Sequence, residues 1–218
     1  MAHNIFFIKT AKCATETIKS YLHEYAKNNK LKVNGGMYHS FLNNSNFNIN
    51  VNHINYTEEN LNHFYNSIDK NLPTIKISSV RNPLERLYSH YCFGHPYFNK
   101  GMDFNEWYIK TMKGEIKDRW PAAHWGDKTN NYMSDYMGIE SLDKIIEQYD
   151  FIFIKEDFEN SLLKLESILE YKFQKKNKKI NKNPKSKKDY KFDSETIDLF
   201  NENNQKDIEL YNYVLKNY

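Results

Sequence analysis

The chain reads as an α/β protein in three layers, a central parallel sheet flanked by helices. Three short apolar runs predict this, Ile5–Ile8, Thr74–Val80 and Phe151–Ile154, each the length of a strand. After each run the apolar residues recur at helical spacing. Strand–helix alternation of this kind packs connecting helices onto the faces of a parallel sheet. At 218 residues the chain fits a single domain over 1–218. Only 39% of residues are hydrophobic and the mean hydropathy is −0.84, polar for a folded protein. Aromatics supply 16%, and large rings fill a core that is short of Leu and Val.

Ile5-Phe6-Phe7-Ile8 forms the first strand. Thr15 opens a helix with Ile18, Leu22 and Tyr25 on one face. Residues 28–55, rich in Asn and Gly, read mostly as loop. Thr57-Glu58-Glu59 starts a helix reaching about Ile68. The strand Thr74–Val80 stops at Asn82-Pro83, and Pro83 suits the first turn of a helix running to about Cys92. Phe151–Ile154 is a third strand, followed by a helix bearing Phe158, Leu162, Leu165 and Leu169. From Asp193 onward, Ile197, Phe200, Ile208, Tyr211 and Leu215 mark one long amphipathic helix capped by Asp193 or Ser194.

The net charge of +3 conceals an uneven distribution. Between Lys172 and Lys191 ten Lys face one acid, Asp189, so this stretch carries +9 and the remainder is acidic. Basic charge confined to one segment argues against a general nucleic-acid binder, which spreads it along a face with interleaved aromatics. The segment, broken by Asn and Pro184, reads as a solvated loop or as a flap over an anionic ligand. No apolar run approaches the roughly 20 residues of a membrane helix, and no signal pattern opens the chain. As given, it reads as soluble and cytoplasmic, a removed anchor or signal aside. Cys13 and Cys92 neither make a disulfide scaffold nor show the spacing of a zinc site.

In parallel sheets ligands sit beyond the carboxyl ends of the strands. After the first strand comes Lys9-Thr10-Ala11-Lys12-Cys13-Ala14-Thr15-Glu16-Thr17, then a helix. Free N–H groups at a helix start form an anion site, to which Thr10, Thr15 and Thr17 add hydroxyls and Lys9 a charge. The loop lacks the two glycines of the common phosphate loop, and its first Lys precedes it. After the second strand comes Arg81-Asn82-Pro83-Leu84-Glu85-Arg86-Leu87-Tyr88-Ser89-His90-Tyr91. An Arg at a strand end grips phosphate bidentately, and Ser89, two helical turns on, shares it.

Together, strand-K-T-x(7)-helix and strand-V-R-x-P-x-x-R-x-x-S-x-Y resemble the sulfotransferases that use 3′-phosphoadenosine 5′-phosphosulfate, a family with a P-loop-like fold. The loop KTAKCATETI is similar to that of galactose 3-O-sulfotransferases, and other features resemble heparan sulfate 2-O-sulfotransferases. The resemblance extends to 150–158, a late strand with an acidic turn, and to 203–213, a closing helix. It implies that Lys9, Thr10, Ala11, Lys12, Cys13, Ala14, Thr15 and Thr17 bind the 5′-phosphosulfate. Arg81 and Ser89 would then hold the 3′-phosphate, and Lys185 and Lys187 of the basic segment would fold over the cofactor. It further implies an acceptor hydroxyl, taken as a glycan's, and no metal; the sequence offers no carboxylate cluster that demands one.

Such a transfer needs a cation on the leaving oxygen, assigned to Lys9, and a base for the acceptor proton. By position in the family, His39, in the Gly-flanked loop between the motifs, is the proposed base. His53, His63, His95 and His124 compete with it, as do Glu16 and Glu58. Trp120 and Trp125 beside His124 are candidates for a substrate wall. Two other readings stand beside this one: a small-molecule kinase using ATP and magnesium, and a non-catalytic module gripping a polyanion.

Overall fold

The computed structural model describes residues 1–35, 46–117, 129–174 and 189–218. Its centre is a parallel sheet of five strands in the order β2-β3-β1-β4-β5: β1 (Asn4–Phe7), β2 (Val33–Asn34), β3 (Ile49–Asn50), β4 (Thr74–Val80) and β5 (Phe151–Ile154). The fold class is therefore the one the sequence predicts. Among the described residues no helix is long and apolar enough to cross a membrane.

Alternation along the strands sorts side chains between two cores. Ile5, Phe7, Ile75, Ile77, Phe151 and Phe153 face one side. There they meet Ile18, Leu22 and Tyr25 of α1 (Thr15–Asn28), and Leu165 and Leu169 of a helix spanning Phe158–Leu169. Phe6, Ile8, Val80, Ile152 and Ile154 face the other side. They pack on Phe64 of α2 (Glu58–Ser67), on Met133 from a helix at Tyr132–Tyr136, and on Leu210 and Val214 near the C-terminus. Burying one Phe in such a core contributes roughly 1.5–3 kcal/mol, so rings compensate for the sparse aliphatics.

The helix ends follow local chemistry. Thr57 caps α2 by accepting from the Asn60 N–H at 3.1 Å. Asn82 does the same for α3 (Pro83–Gly94), with Pro83 at its first turn. Beyond it come α4 (Pro96–Asn99), α5 (Phe104–Met112), α6 (Tyr132–Tyr136), α7 (Ile145–Gln148) and α8 (Phe158–Leu169). A third cluster joins α3 and α5 through Leu87, Tyr91, Phe104, Trp107 and Tyr108.

One expectation is refined and one corrected. The described residues of 28–55 are mostly loop, as expected, but they also hold β2 and β3, which extend the sheet beyond β1. Each strand is two residues long and Asn-rich, so neither offers an apolar run; pairing of β3 with β1 and of β2 with β3, rather than propensity, makes them strands. The C-terminal stretch is not one helix but two, α9 (Ser194–Asn203) and α10 (Gln205–Asn217). The break is at Asn204, which is buried and accepts from the Asn131 N–H at 2.9 Å. Its amide donates to the Phe200 carbonyl at 3.1 Å and to the Tyr108 hydroxyl at 3.3 Å. Asp193 does precede α9, although its side chain makes no capping bond.

The turn brings Asp207 of α10 beneath α6. There its carboxylate accepts from the N–H groups of Met133 (3.0 Å) and Ser134 (2.8 Å) and from the Ser134 hydroxyl (2.5 Å).

Candidate functional site

β1 and β4 are neighbours, so the turns after them meet at the carboxyl edge of the sheet. The β1–α1 turn carries the first motif in a strained backbone. Lys12 (φ 67°) and Ala14 (φ 61°, ψ 17°) adopt the left-handed conformation on either side of Cys13. Successive peptides turned this way present N–H groups into a concavity that suits an anion. The N–H groups of Lys12, Ala14, Thr15 and Glu16 donate to no acceptor among the described residues. The dipole of the fourteen-residue α1 adds to their positive potential.

A left-handed backbone costs an L-residue roughly 1–2 kcal/mol, of which glycine's larger unfolded-state entropy cancels about 0.5–1. Ala14→Gly should therefore stabilise the protein by about 0.5–1 kcal/mol and raise Tm by about 1–4 °C. Thermal denaturation checks this, and an unchanged or lower Tm would mean that the loop holds no strain.

Lys9 lies two residues past the end of β1, with its side chain only 1% exposed. Its ammonium donates to Glu16 Oε1 at 2.6 Å and stands 3.1 Å from His53 Nε2; His53 Nε2 is 3.8 Å from the same carboxylate oxygen. Strand register makes this triad. Ile5 pairs with Ile49, so His53, four residues on, comes level with Lys9. Burial lowers the Lys9 pKa and the Glu16 contact offsets only part of that. Burial opposes ionisation of Glu16 too, but the bond to Lys9, that ammonium's charge, and Lys19 and His53 hold its carboxyl below the usual range. Burial, and then the Lys9 charge, push His53 down to about 3, so its ring is neutral at physiological pH. Because an ammonium only donates, the Nε2 facing it is the bare nitrogen.

Arg81 follows β4 and reaches the same turn, donating to the Lys12 carbonyl at 3.4 Å. It also pairs with Glu85 Oε2 at 3.2 Å and approaches Glu156 Oε1 at 4.0 Å. Glu156 is held by the Tyr211 hydroxyl at 3.1 Å. Lys12 lies 3.9 Å over the exposed ring of Phe93, and burial followed by the charge of Arg81 lowers its pKa to about 8. Ser89 is buried on α3, on the same helix as Arg86.

The structure thus brings Lys9, the β1–α1 turn and Arg81 to one edge of the sheet, while Ser89 is buried on α3, the helix that follows Arg81. Not every loop side chain faces the concavity. Thr10 is buried, with its hydroxyl 3.1 Å from that of Ser78, and Ala11 and Cys13 belong to the core, so these last two offer backbone rather than side chain. Burial pushes the Cys13 thiol up to about 12, which leaves it protonated and a poor nucleophile.

His39, Lys185, Lys187, Trp120, His124 and Trp125 lie outside the described residues. His63 sits on α2, and His95 stacks on Tyr91 and is fully buried. Sequence reasoning ranked His53 and Glu16 only among the alternatives. The alternation Ile49, Val51 before His53 was the available signal for a strand beside β1. Arg86, which a solvated helix face would have explained, is 1% exposed and lies 4.6 Å over the Tyr132 ring.

A search against curated proteins finds no match. The sequence model of the sulfotransferase family matches residues 1–214, nearly the whole chain. That extent decides against the kinase and polyanion-module readings, and the chain belongs to the sulfotransferase family, enzymes that transfer a sulfuryl group to an acceptor.

Proposed function

We propose that this single-domain protein moves a sulfuryl group from 3′-phosphoadenosine 5′-phosphosulfate to an acceptor hydroxyl, taken as a glycan's, without a metal. The observation that carries the reading is the edge of the sheet. There, a turn with unpaired N–H groups follows a buried ammonium, and a strand-end arginine reaches the same turn. These are the groups needed by a donor that carries a phosphosulfate and a separate phosphate.

In this reading the β1–α1 turn and Lys9 take the 5′-phosphosulfate, while Arg81 and Ser89 take the 3′-phosphate. The acceptor oxygen attacks sulfur in line. As the new O–S bond forms, the bridging S–O bond breaks and its electron pair passes to the phosphate oxygen, where Lys9 stabilises the charge. The acceptor's proton goes to the bare Nε2 of His53. An arriving donor draws the Lys9 N–H away from that nitrogen and adds negative charge nearby, so the base is released and strengthened when the donor is in place. His53 is supported as base by its 3.1 Å approach to Lys9. His39 is the second candidate, from its place between the motifs. Lys185 and Lys187 are proposed to add charge over the nucleotide.

Thermal shift tests the donor assignment. Adenosine 3′,5′-bisphosphate at about 100 times Kd should stabilise the protein by about 2.7 kcal/mol, and ATP with magnesium far less. Arg81→Ala should weaken bisphosphate binding by about 2–4 kcal/mol through loss of a charge-assisted contact, and Ser89→Ala by about 1 kcal/mol. Equal affinity of the wild type and Arg81→Ala in calorimetry would remove the 3′-phosphate assignment.

A further inference from the structure

An anion site that keeps its own carboxylate is at odds with itself, and Glu16 is such a carboxylate. It lies in the first turn of α1 among the N–H groups that receive the donor, where its charge repels an incoming phosphate. Its contact with Lys9 gives it a reason to be there. An ammonium as buried as Lys9 is unstable unless paired. The charged and titratable groups facing it are Glu16 and Lys19 from α1 and His53 from the segment after β3. Of these only Glu16 is an anion. Lys19 repels the ammonium, and neutral His53 offers one lone pair.

We propose that Glu16 is a positioning residue for Lys9: its carboxylate keeps the buried ammonium charged and fixes where its remaining N–H donors point. An ammonium has three donors. One is held by Glu16 at 2.6 Å, which leaves the other two, one of them facing His53 at 3.1 Å in the free protein, for the donor's oxygens. The direction of the electrostatics agrees, since burial drives Lys9 towards neutrality and Glu16 opposes it. The catalytic part of this inference rests on the sulfuryl-transfer reading; the coupling of Glu16 to Lys9 does not.

Glu16→Gln removes the charge and keeps the shape, while Glu16→Asp keeps the charge. The test is NMR titration of the lysine ε-carbons in the full chain without substrate, the Lys9 signal being identified by its loss in Lys9→Arg. The Lys9 midpoint should fall by about one unit or more in Glu16→Gln and stay close to wild type in Glu16→Asp. Calorimetry should find adenosine 3′,5′-bisphosphate bound by Glu16→Gln as tightly as by wild type or several-fold tighter. With an acceptor, kcat should fall about 10–100-fold and the alkaline limb of its pH profile should move to lower pH, because only charged Lys9 stabilises the leaving oxygen. A group that merely held the fold would weaken binding and turnover together.

An unmoved Lys9 midpoint in Glu16→Gln overturns the proposal, as does weaker nucleotide binding with kcat unchanged. If Glu16→Gln fails to fold, a Lys9 midpoint in Glu16→Asp at least one unit from wild type overturns it, and one close to wild type supports it. A midpoint shifted in Glu16→Gln, together with a wild type that binds no bisphosphate, upholds the Glu16–Lys9 coupling and overturns the donor assignment instead.

Discussion

His53→Ala should lower turnover by about 10²–10⁴-fold, the usual contribution of a placed base, while leaving affinity for adenosine 3′,5′-bisphosphate nearly intact. The imidazole faces Lys9 and Glu16 rather than the strand-end Arg81, so its loss leaves the proposed 3′-phosphate contacts in place. The pH profile separates His53 from the other candidate. A base acts when deprotonated, and the free protein holds His53 down to about 3. The kcat/KM for the donor reports the free protein, so His53 should give it no acidic limb above about pH 5. The kcat reports the donor-bound state, where added negative charge raises the histidine, so its acidic limb should lie at higher pH than that of kcat/KM. A base at His39 with an ordinary imidazole pKa would place the limb near roughly 6.5 in both profiles. Steady-state rates of His53→Ala and His39→Ala on one acceptor decide the matter. Near-normal turnover in His53→Ala, with collapse in His39→Ala, would move the base to that loop.

Lys9→Ala should lower turnover by about 10²–10³-fold, with a much smaller change in affinity for the product nucleotide. The leaving phosphate oxygen gains charge as the S–O bond breaks, so a buried ammonium there stabilises the transition state more than either bound state. At 1% exposure the contact is barely screened by water. Removing Lys9 also leaves Glu16 facing the phosphate with no cation between them, which adds to the loss. The experiment compares single-turnover rates at saturating donor with calorimetric affinity for the product. A variant that binds far more weakly but turns over normally at saturation contradicts the assignment.

Both predictions depend on groups that differ in how far the chain alone discloses them. Lys9, the turn after it, Arg81 and Ser89 are close in sequence to strand ends, and an apolar run stopped by Asn82-Pro83 or passing into a helical pattern shows where those ends are. Lys9 could therefore be assigned with no knowledge of its neighbours. His53 follows a strand of two residues, Ile49–Asn50, which has no run to detect. Asn204 sits in a helical pattern continuous from Ile197 to Leu215, and nothing local stops the helix there. Its bonds to Asn131, Tyr108 and the Phe200 carbonyl make the break.

The sequence by itself determined the fold class, the family and the two turns proposed to hold the donor, because strand runs, helical periods and short motifs are local patterns. Tertiary structure decided what those turns face. The parallel pairing of Ile5 with Ile49 brings His53 level with Lys9 across 44 positions of chain. The pairing of Val80 with Ile154 carries Glu156 to Arg81, and the turn at Asn204 carries Asp207 to α6. Register and burial are properties of the whole sheet. They set which charges meet without water between them, and so which lysine needs a carboxylate and which histidine stays neutral.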